Sequence, residues 1–133
     1  VLRDRAGMIG HLDEVVIDCH DTMRLAEFWQ GVLGGTIQRQ SREWVALYPP
    51  TGITVSFQEV PEHKAVKNRV HLDVKVDDLE VAARAAEVIG ATRIGVPQPD
   101  PVGGFQVMAD PEGNEFCFIV GPTLVDDPDD DAA

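Results

Sequence analysis

Hydrophobic and polar residues alternate along residues 13–19, with Val15, Ile17 and Cys19 on one side and Glu14, Val16 and Asp18 on the other. A period of two predicts a half-buried strand. Asp21 then supplies an N-cap, because its carboxylate can accept the orphan N–H groups of a helix start. Beyond it the period changes to that of a helix: Leu25, Phe28, Trp29 and Val32 fall at i, i+3, i+4 and i+7, one apolar stripe. Gly34 and Gly35 stop the helix. Further strands are predicted over 36–40, 43–48 and 53–60, the last two separated by the turn PPTG.

The same order then recurs. Residues 61–69, PEHKAVKNR, read as a connector. A strand over 70–76 leads to Asp77 or Asp78 as cap, and Ala82, Ala85, Ala86 and Ile89 make the next helical stripe before Gly90. A short strand near 92–96 precedes PQPDPVGG, whose Pro and Gly predict a loop with Gly103 and Gly104 as a flexible rim. Strands over 105–109 and 115–120 flank the turn DPEGN, in which Pro111 presets φ and Gly113 accepts a positive one. The pattern is β-α-β-β-β, twice, and an internal repeat of this kind governs the architecture. Four apolar rows face the helices: Val15, Ile17 and Cys19; Ile53, Val55 and Phe57; Leu72, Val74 and Val76; Phe116, Phe118 and Val120. The opposite rows are mixed: Glu14, Val16 and Asp18; Thr54, Ser56 and Gln58; His71, Asp73 and Lys75; Glu115, Cys117 and Ile119. A sheet with one wet face accounts for such rows, and so does a sheet lining a binding hollow.

Composition narrows the function classes. At 133 residues and 44% hydrophobic the chain is sized for one domain or two small modules. Its formal net charge is −12, and the chain stays acidic without the five aspartates of the tail DDPDDDAA. Nucleic-acid partners need a basic surface, so none is expected, and an anionic membrane surface is disfavoured on the same ground. No apolar run reaches the roughly 18 residues of a membrane span, and VLRDRAGMIG reads as no secretory signal. Cys19 and Cys117 lie in strand patterns without a CxxC, which suits a reduced, cytoplasmic setting. The like charges of residues 121–133 predict a disordered tail.

Three segments carry a resemblance. DTMRLAEFWQGVLG from Asp21 to Gly34, HLDVKVDD from His71 to Asp78, and DPEGNEFCFI from Asp110 to Ile119 resemble, in this order, the first helix, second-module start and final hairpin of the vicinal oxygen chelate superfamily. That superfamily includes glyoxalase I, the bleomycin-resistance proteins and the extradiol dioxygenases, and the likeness is strongest to its glyoxalase-like domain group. The resemblance implies an α+β fold in which two βαβββ modules pair to form a curved-sheet cup with the helices outside. Residues 1–120 would be the domain, with module one at 11–60, the connector at 61–69 and module two at 70–120. It also implies a small molecule in the cup and a homodimer.

Where the superfamily binds metal, four positions supply ligands. By motif they match Glu14, seven residues before Asp21, His71, seven before Asp78, and Ser56 and Cys117 in the last strand of each module. Glu14 and His71 suit a divalent ion and would be the catalytic base and acid. Ser56 is a weak neutral donor, and Cys117 replaces the carboxylate that would both bind metal and move a proton. These departures argue against the glyoxalase I reaction and against a tightly held native ion; Glu14, His71 and Cys117 remain the candidate metal ligands. Gln58 and Glu115 share the mixed rows with Ser56 and Cys117, and Trp44 and Tyr48 share a strand face where they would stack on a flat ligand or fill core. Each residue also has a plainer reading: His71 and Glu14 as solvated strand groups, Cys117 as a small apolar residue.

Three functions follow as expectations. One is a lyase or isomerase acting on a small oxygenated metabolite. The second is a non-catalytic drug- or metabolite-binding protein of the bleomycin-resistance type, holding an aromatic or cationic compound. The third is an accessory domain with a vestigial hollow.

Overall fold

A computed structural model describes residues 12–66, 68, 70–101 and 103–121. The acidic tail from 122 onwards lies outside the described residues. The chain divides into two compact units between Glu62 and His63, inside the expected connector.

The first unit runs β1 (Glu14–Cys19), α1 (Thr22–Leu33), β2 (Thr36–Arg39), β3 (Trp44–Tyr48) and β4 (Thr54–Glu59). The second runs β5 (Leu72–Lys75), α2 (Leu79–Val88), β6 (Thr92–Asp100), β7 (Gly103–Ala109) and β8 (Glu115–Val120). Each unit forms one four-stranded sheet, β1-β4-β3-β2 and β5-β8-β7-β6. In each, the first strand pairs parallel to the last and the other pairings are antiparallel. The expected α+β class and the doubled βαβββ order are therefore present.

The caps act as their chemistry predicts. Asp21 accepts the Arg24 backbone N–H at 3.1 Å and Asp78 accepts that of Val81 at 3.0 Å. Helix α1 buries Thr22, Leu25, Ala26, Phe28 and Trp29, with the Phe28 and Trp29 rings edge to face at 5.4 Å between centroids. Val45, Leu47, Val55 and Phe57 complete that core. At its end, Gly35 lies so close to β3 that a Cβ there would stand 2.1 Å from the Tyr48 carbonyl oxygen.

Helix α2 corrects the expected stripe. It buries Ala83 and Ala86, while Ala85 and Ile89 are exposed. The inward face is Leu79, Ala83 and Ala86, a spacing of i, i+4 and i+7 that starts from the first helical residue after Asp78. Ile89 is the C-cap and lies beyond the last helical turn. Small residues on the helix leave the volume to the sheet, where Met108, Phe116 and Phe118 are buried and the two phenyl rings meet edge to face at 5.3 Å.

The Pro-rich segment is the second correction. The expected short strand continues through PQPD to Asp100, with a register shift between Ile94 and Gln98. Pro97 and Pro99 are tolerated because β6 is the edge strand, where a missing N–H breaks no ladder. Buried Gln106 secures the irregular stretch: its Nε2 donates to the carbonyls of Gly95 at 3.2 Å and Val107 at 2.9 Å, with a longer contact to Ile94. Gly103 and Gly104 are then strand residues and not a flexible rim. A Cβ on Gly103 would stand 2.3 Å from the Val120 carbonyl oxygen, so the glycine permits close strand approach.

The turn after β7 matches its reading. Asp110 Oδ1 accepts the backbone N–H groups of Glu112 and Asn114, both at 2.9 Å, and its Oδ2 accepts Asn114 Nδ2 at 3.1 Å. This turn fixes where β8 begins, and β8 carries half of the chemistry described next.

Candidate functional site

Sheet register decides which side chains share a face. In the second unit Asp73 pairs with Cys117 across the parallel β5–β8 ladder, and Cys117 with Val107 across the antiparallel β7–β8 ladder. Residues two apart share a face, which adds Phe105, Glu115 and Ile119. His71, immediately before β5, stands with its Nε2 3.3 Å from Asp73 Oδ1, both side chains about half exposed. The opposite face holds the core on α2, so this one is open.

A hollow of about 410 Å³ sits on that open face. Phe105, Val107 and Ile119 give it apolar walls, and His71, Asp73, Glu115 and Cys117 give it polar ones. Asp100, from the far end of β6, and Asn68 also line it. Asn68 is tied to the start of β8: its Oδ1 accepts the Glu115 N–H at 3.1 Å and its Nδ2 donates to the Glu115 carbonyl at 3.3 Å. One donor atom from each of His71, Asp73 and Cys117 lies within 4.8 Å of the others. An imidazole, a carboxylate and a thiol at that separation can share a proton or an ion.

The structure thus gathers three of the expected residues, His71, Glu115 and Cys117. It adds Asp73, Asn68, Phe105, Val107, Ile119 and Asp100, which sequence reasoning had not singled out for the site. A signal for Asp73 was available: His71 and Asp73 are two apart in an alternating segment and so share a side. Asn68 had none, since it lies in the connector and acts through the backbone of a residue 47 positions away.

The remaining expected residues lie in the first unit, on the face of its own sheet turned away from α1. Gln58 pairs with Trp44 and with Asp18, and Ser56 with Ala46 and Val16. Glu14 and Tyr48 occupy the same face by alternation. Tyr48 is 40% exposed. Ser56 is buried, and both its Oγ and Glu14 Oε1 are buried atoms without a hydrogen-bond partner among the described residues. Unsatisfied buried polar atoms are uncommon and mark places where water, an ion or a ligand completes the structure. A separate hollow in this unit, at the start of α1, is lined by His20, Thr22, Arg39, Arg42 and Glu59 among others. There Arg42 stands 3.7 Å from Glu59 and the Thr22 hydroxyl donates to the Arg42 carbonyl at 3.0 Å.

Comparison with known proteins places this geometry. The glyoxalase-like domain family matches residues 14–119. The chain belongs to that family. The glyoxalase-like chain also shares its fold with solved structures of the wider glyoxalase, bleomycin-resistance and dioxygenase superfamily. A family enzyme from Burkholderia phytofirmans is 22% identical, over 85% of this chain and 100% of that one, with a TM-score of 0.72. The fosfomycin resistance protein FosX from Mesorhizobium loti is 20% identical, over 88% and 95%, with a TM-score of 0.69. FosX from Listeria monocytogenes, solved with Mn(II) and a dihydroxypropylphosphonic acid, is 15% identical, over 88% and 94%, with a TM-score of 0.73. At these identities the likeness establishes the fold. A search of curated proteins found no match. No helix among the described residues is long and apolar enough to cross a membrane.

Proposed function

We propose that this glyoxalase-like protein binds a small molecule on the open face of its second sheet. The observation that carries the reading is the hollow of about 410 Å³, in which an apolar wall meets a few converging polar groups. That is the usual make-up of a small-molecule site. The apolar body of the ligand would rest on Phe105, Val107 and Ile119. Asp73, Asp100 and Glu115 bring carboxylates to the other side, which favours an amine or another hydrogen-bond donor at the polar end.

The test is titration of the full chain with a panel of small aromatic amines, read by ligand-observed NMR. Val107→Arg fills the hollow and is expected to abolish binding, whereas Val81→Arg, on the exposed side of α2, is expected to leave it intact. Equal binding by both variants would overturn the reading, with circular dichroism checking that each is folded.

A lyase or isomerase activity is a second reading, favoured by the His71–Asp73 pair. A histidine beside a carboxylate is suited to moving a proton at neutral pH. Deuterium uptake from solvent into the α-carbon of a small hydroxycarbonyl compound, lost in His71→Gln, is the outcome this reading expects. Its absence across such compounds leaves the binding protein. The superfamily resemblance further supports a homodimer, for which sedimentation velocity is the measurement.

A further inference from the structure

One carboxylate of the hollow sits at a strand end, and a connector residue holds that end in place. Glu115 is the first residue of β8. On the β5 side the ladder starts one position later, where Leu72 pairs with Phe116. The N–H and C=O of a strand residue point to the same edge, so the Glu115 peptide groups need a partner that β5 does not supply. Asn68 supplies it. Its Oδ1 accepts the Glu115 N–H at 3.1 Å and its Nδ2 donates to the Glu115 carbonyl at 3.3 Å. The same Nδ2 donates to the Val70 carbonyl, so both amide hydrogens are used. A flipped amide would set Oδ1 against two carbonyls and Nδ2 against an N–H, so only one orientation works.

We propose that Asn68 is a positioning residue for the hollow: by clamping the Glu115 backbone it aims the Glu115 carboxylate and so sets a preference for an ammonium over an uncharged polar end. Asn68 and Glu115 both line the hollow. A strand end without partners opens locally, and a carboxylate carried on it spreads over many positions. Held in place, the same carboxylate gives a charge-assisted hydrogen bond to a bound ammonium and loses little freedom when the ligand arrives. Asn68 lies 47 positions from Glu115 in the chain and is half-buried. It therefore acts from the connector as a one-residue substitute for a strand.

This role rests on the small-molecule reading for its ligand, whereas the clamp itself is measurable in the free protein.

The experiment uses the full chain and two readouts. The first is amide hydrogen exchange by NMR without ligand. The Glu115 amide is expected to be protected in the wild type and to exchange about three- to tenfold faster in Asn68→Ala, the net worth of one hydrogen bond. The Phe118 amide, inside the ladder, should not change. The second readout is the ratio of benzylamine to benzyl alcohol affinity. Asn68→Ala is expected to lower that ratio by about three- to tenfold, and Glu115→Gln by at least as much. Adding Asn68→Ala to Glu115→Gln should lower it no further, because the two act through one group. Asn68→Leu keeps the volume, adds no charge and removes every hydrogen bond, so it should behave as Asn68→Ala and separates the clamp from the space lost. An unprotected Glu115 amide in the wild type, which needs no variant to detect, would overturn the proposal. So would Asn68 variants that weaken both probes alike and leave the ratio unchanged, or an undiminished effect of Asn68→Ala in the Glu115→Gln background. Wild-type protein that binds neither probe sinks the small-molecule reading and the preference together. A bound amine whose ratio ignores Asn68 sinks only the role of Asn68.

Discussion

The two sheets of this protein have the same strand order yet keep their bulk in different places. In the first unit the helix carries the large side chains: Leu25, Phe28 and Trp29 are buried against Val45, Leu47, Val55 and Phe57. In the second the helix offers only Ala83 and Ala86 as buried residues, and the sheet supplies Met108, Phe116 and Phe118. The second unit also carries a charge network on its surface. Glu80 Oε1 accepts from Arg84 Nε and Arg93 Nη2, both at 2.9 Å, its Oε2 accepts from Arg93 Nη1 at 2.8 Å, and Arg93 Nε reaches Glu87 Oε1 at 3.1 Å. This network ties α2 to the edge strand β6. One topology therefore accommodates two distributions of core volume, mainly on the helix or mainly on the sheet.

The largest effect should come from removing that volume. Trp29→Ala deletes the biggest fully buried side chain and is expected to cost about 3–5 kcal/mol in urea unfolding. A loss under about 1 kcal/mol would mean that the first unit's core is not centred on α1.

A smaller effect is expected from adding volume where the second unit has none to spare. Ala83 is fully buried, so Ala83→Leu must displace α2 from the sheet, at about 1–3 kcal/mol. A stabilised Ala83→Leu protein would show instead that the second unit is underpacked.

The smallest effect belongs to the charge network, and its sign is set by pH. Hydrogen bonds from Arg93 and then Arg84 hold the Glu80 carboxyl down from its usual 4.5 to about 2. A lowered pKa stabilises the fold above 4.5, and that contribution is lost as the pH falls from 4.5 towards 2. Glu80→Gln should lower the urea midpoint slightly at neutral pH and flatten its acid slope in this window. An unchanged slope would remove the network from the comparison. Because the pair is largely exposed, the effect should also shrink with added salt.

The sheet faces turned away from the helices differ as well. The first presents Ser56 and Glu14 with buried, unpartnered oxygens; the second gathers His71, Asp73 and Cys117 around a hollow. Here sequence reasoning went only part of the way. Alternation was enough to group His71 with Asp73, Glu115 with Cys117, Ser56 with Gln58 and Trp44 with Tyr48, each pair within its own strand, since a side-chain period of two is written in neighbouring residues. Alternation was not enough to find that Asp73 lies opposite Cys117, because that depends on the register of strands 44 residues apart in the chain. The β6 misreading has a similar origin: Pro97 and Pro99 break most strands, and only an edge location makes them harmless.

What this sequence determined by itself was local: the order of strands and helices, Asp21 as a cap and Asp77 or Asp78 as the other, and that one βαβββ pattern occurs twice. Such features follow from side-chain period and from hydrogen bonds spanning a few residues. The tertiary structure decided which face of α2 is buried, how β6 passes its irregular stretch, and which donors meet beside the hollow of the second unit. Those outcomes depend on strand register and packing between segments far apart in the chain, which no short window of residues encodes.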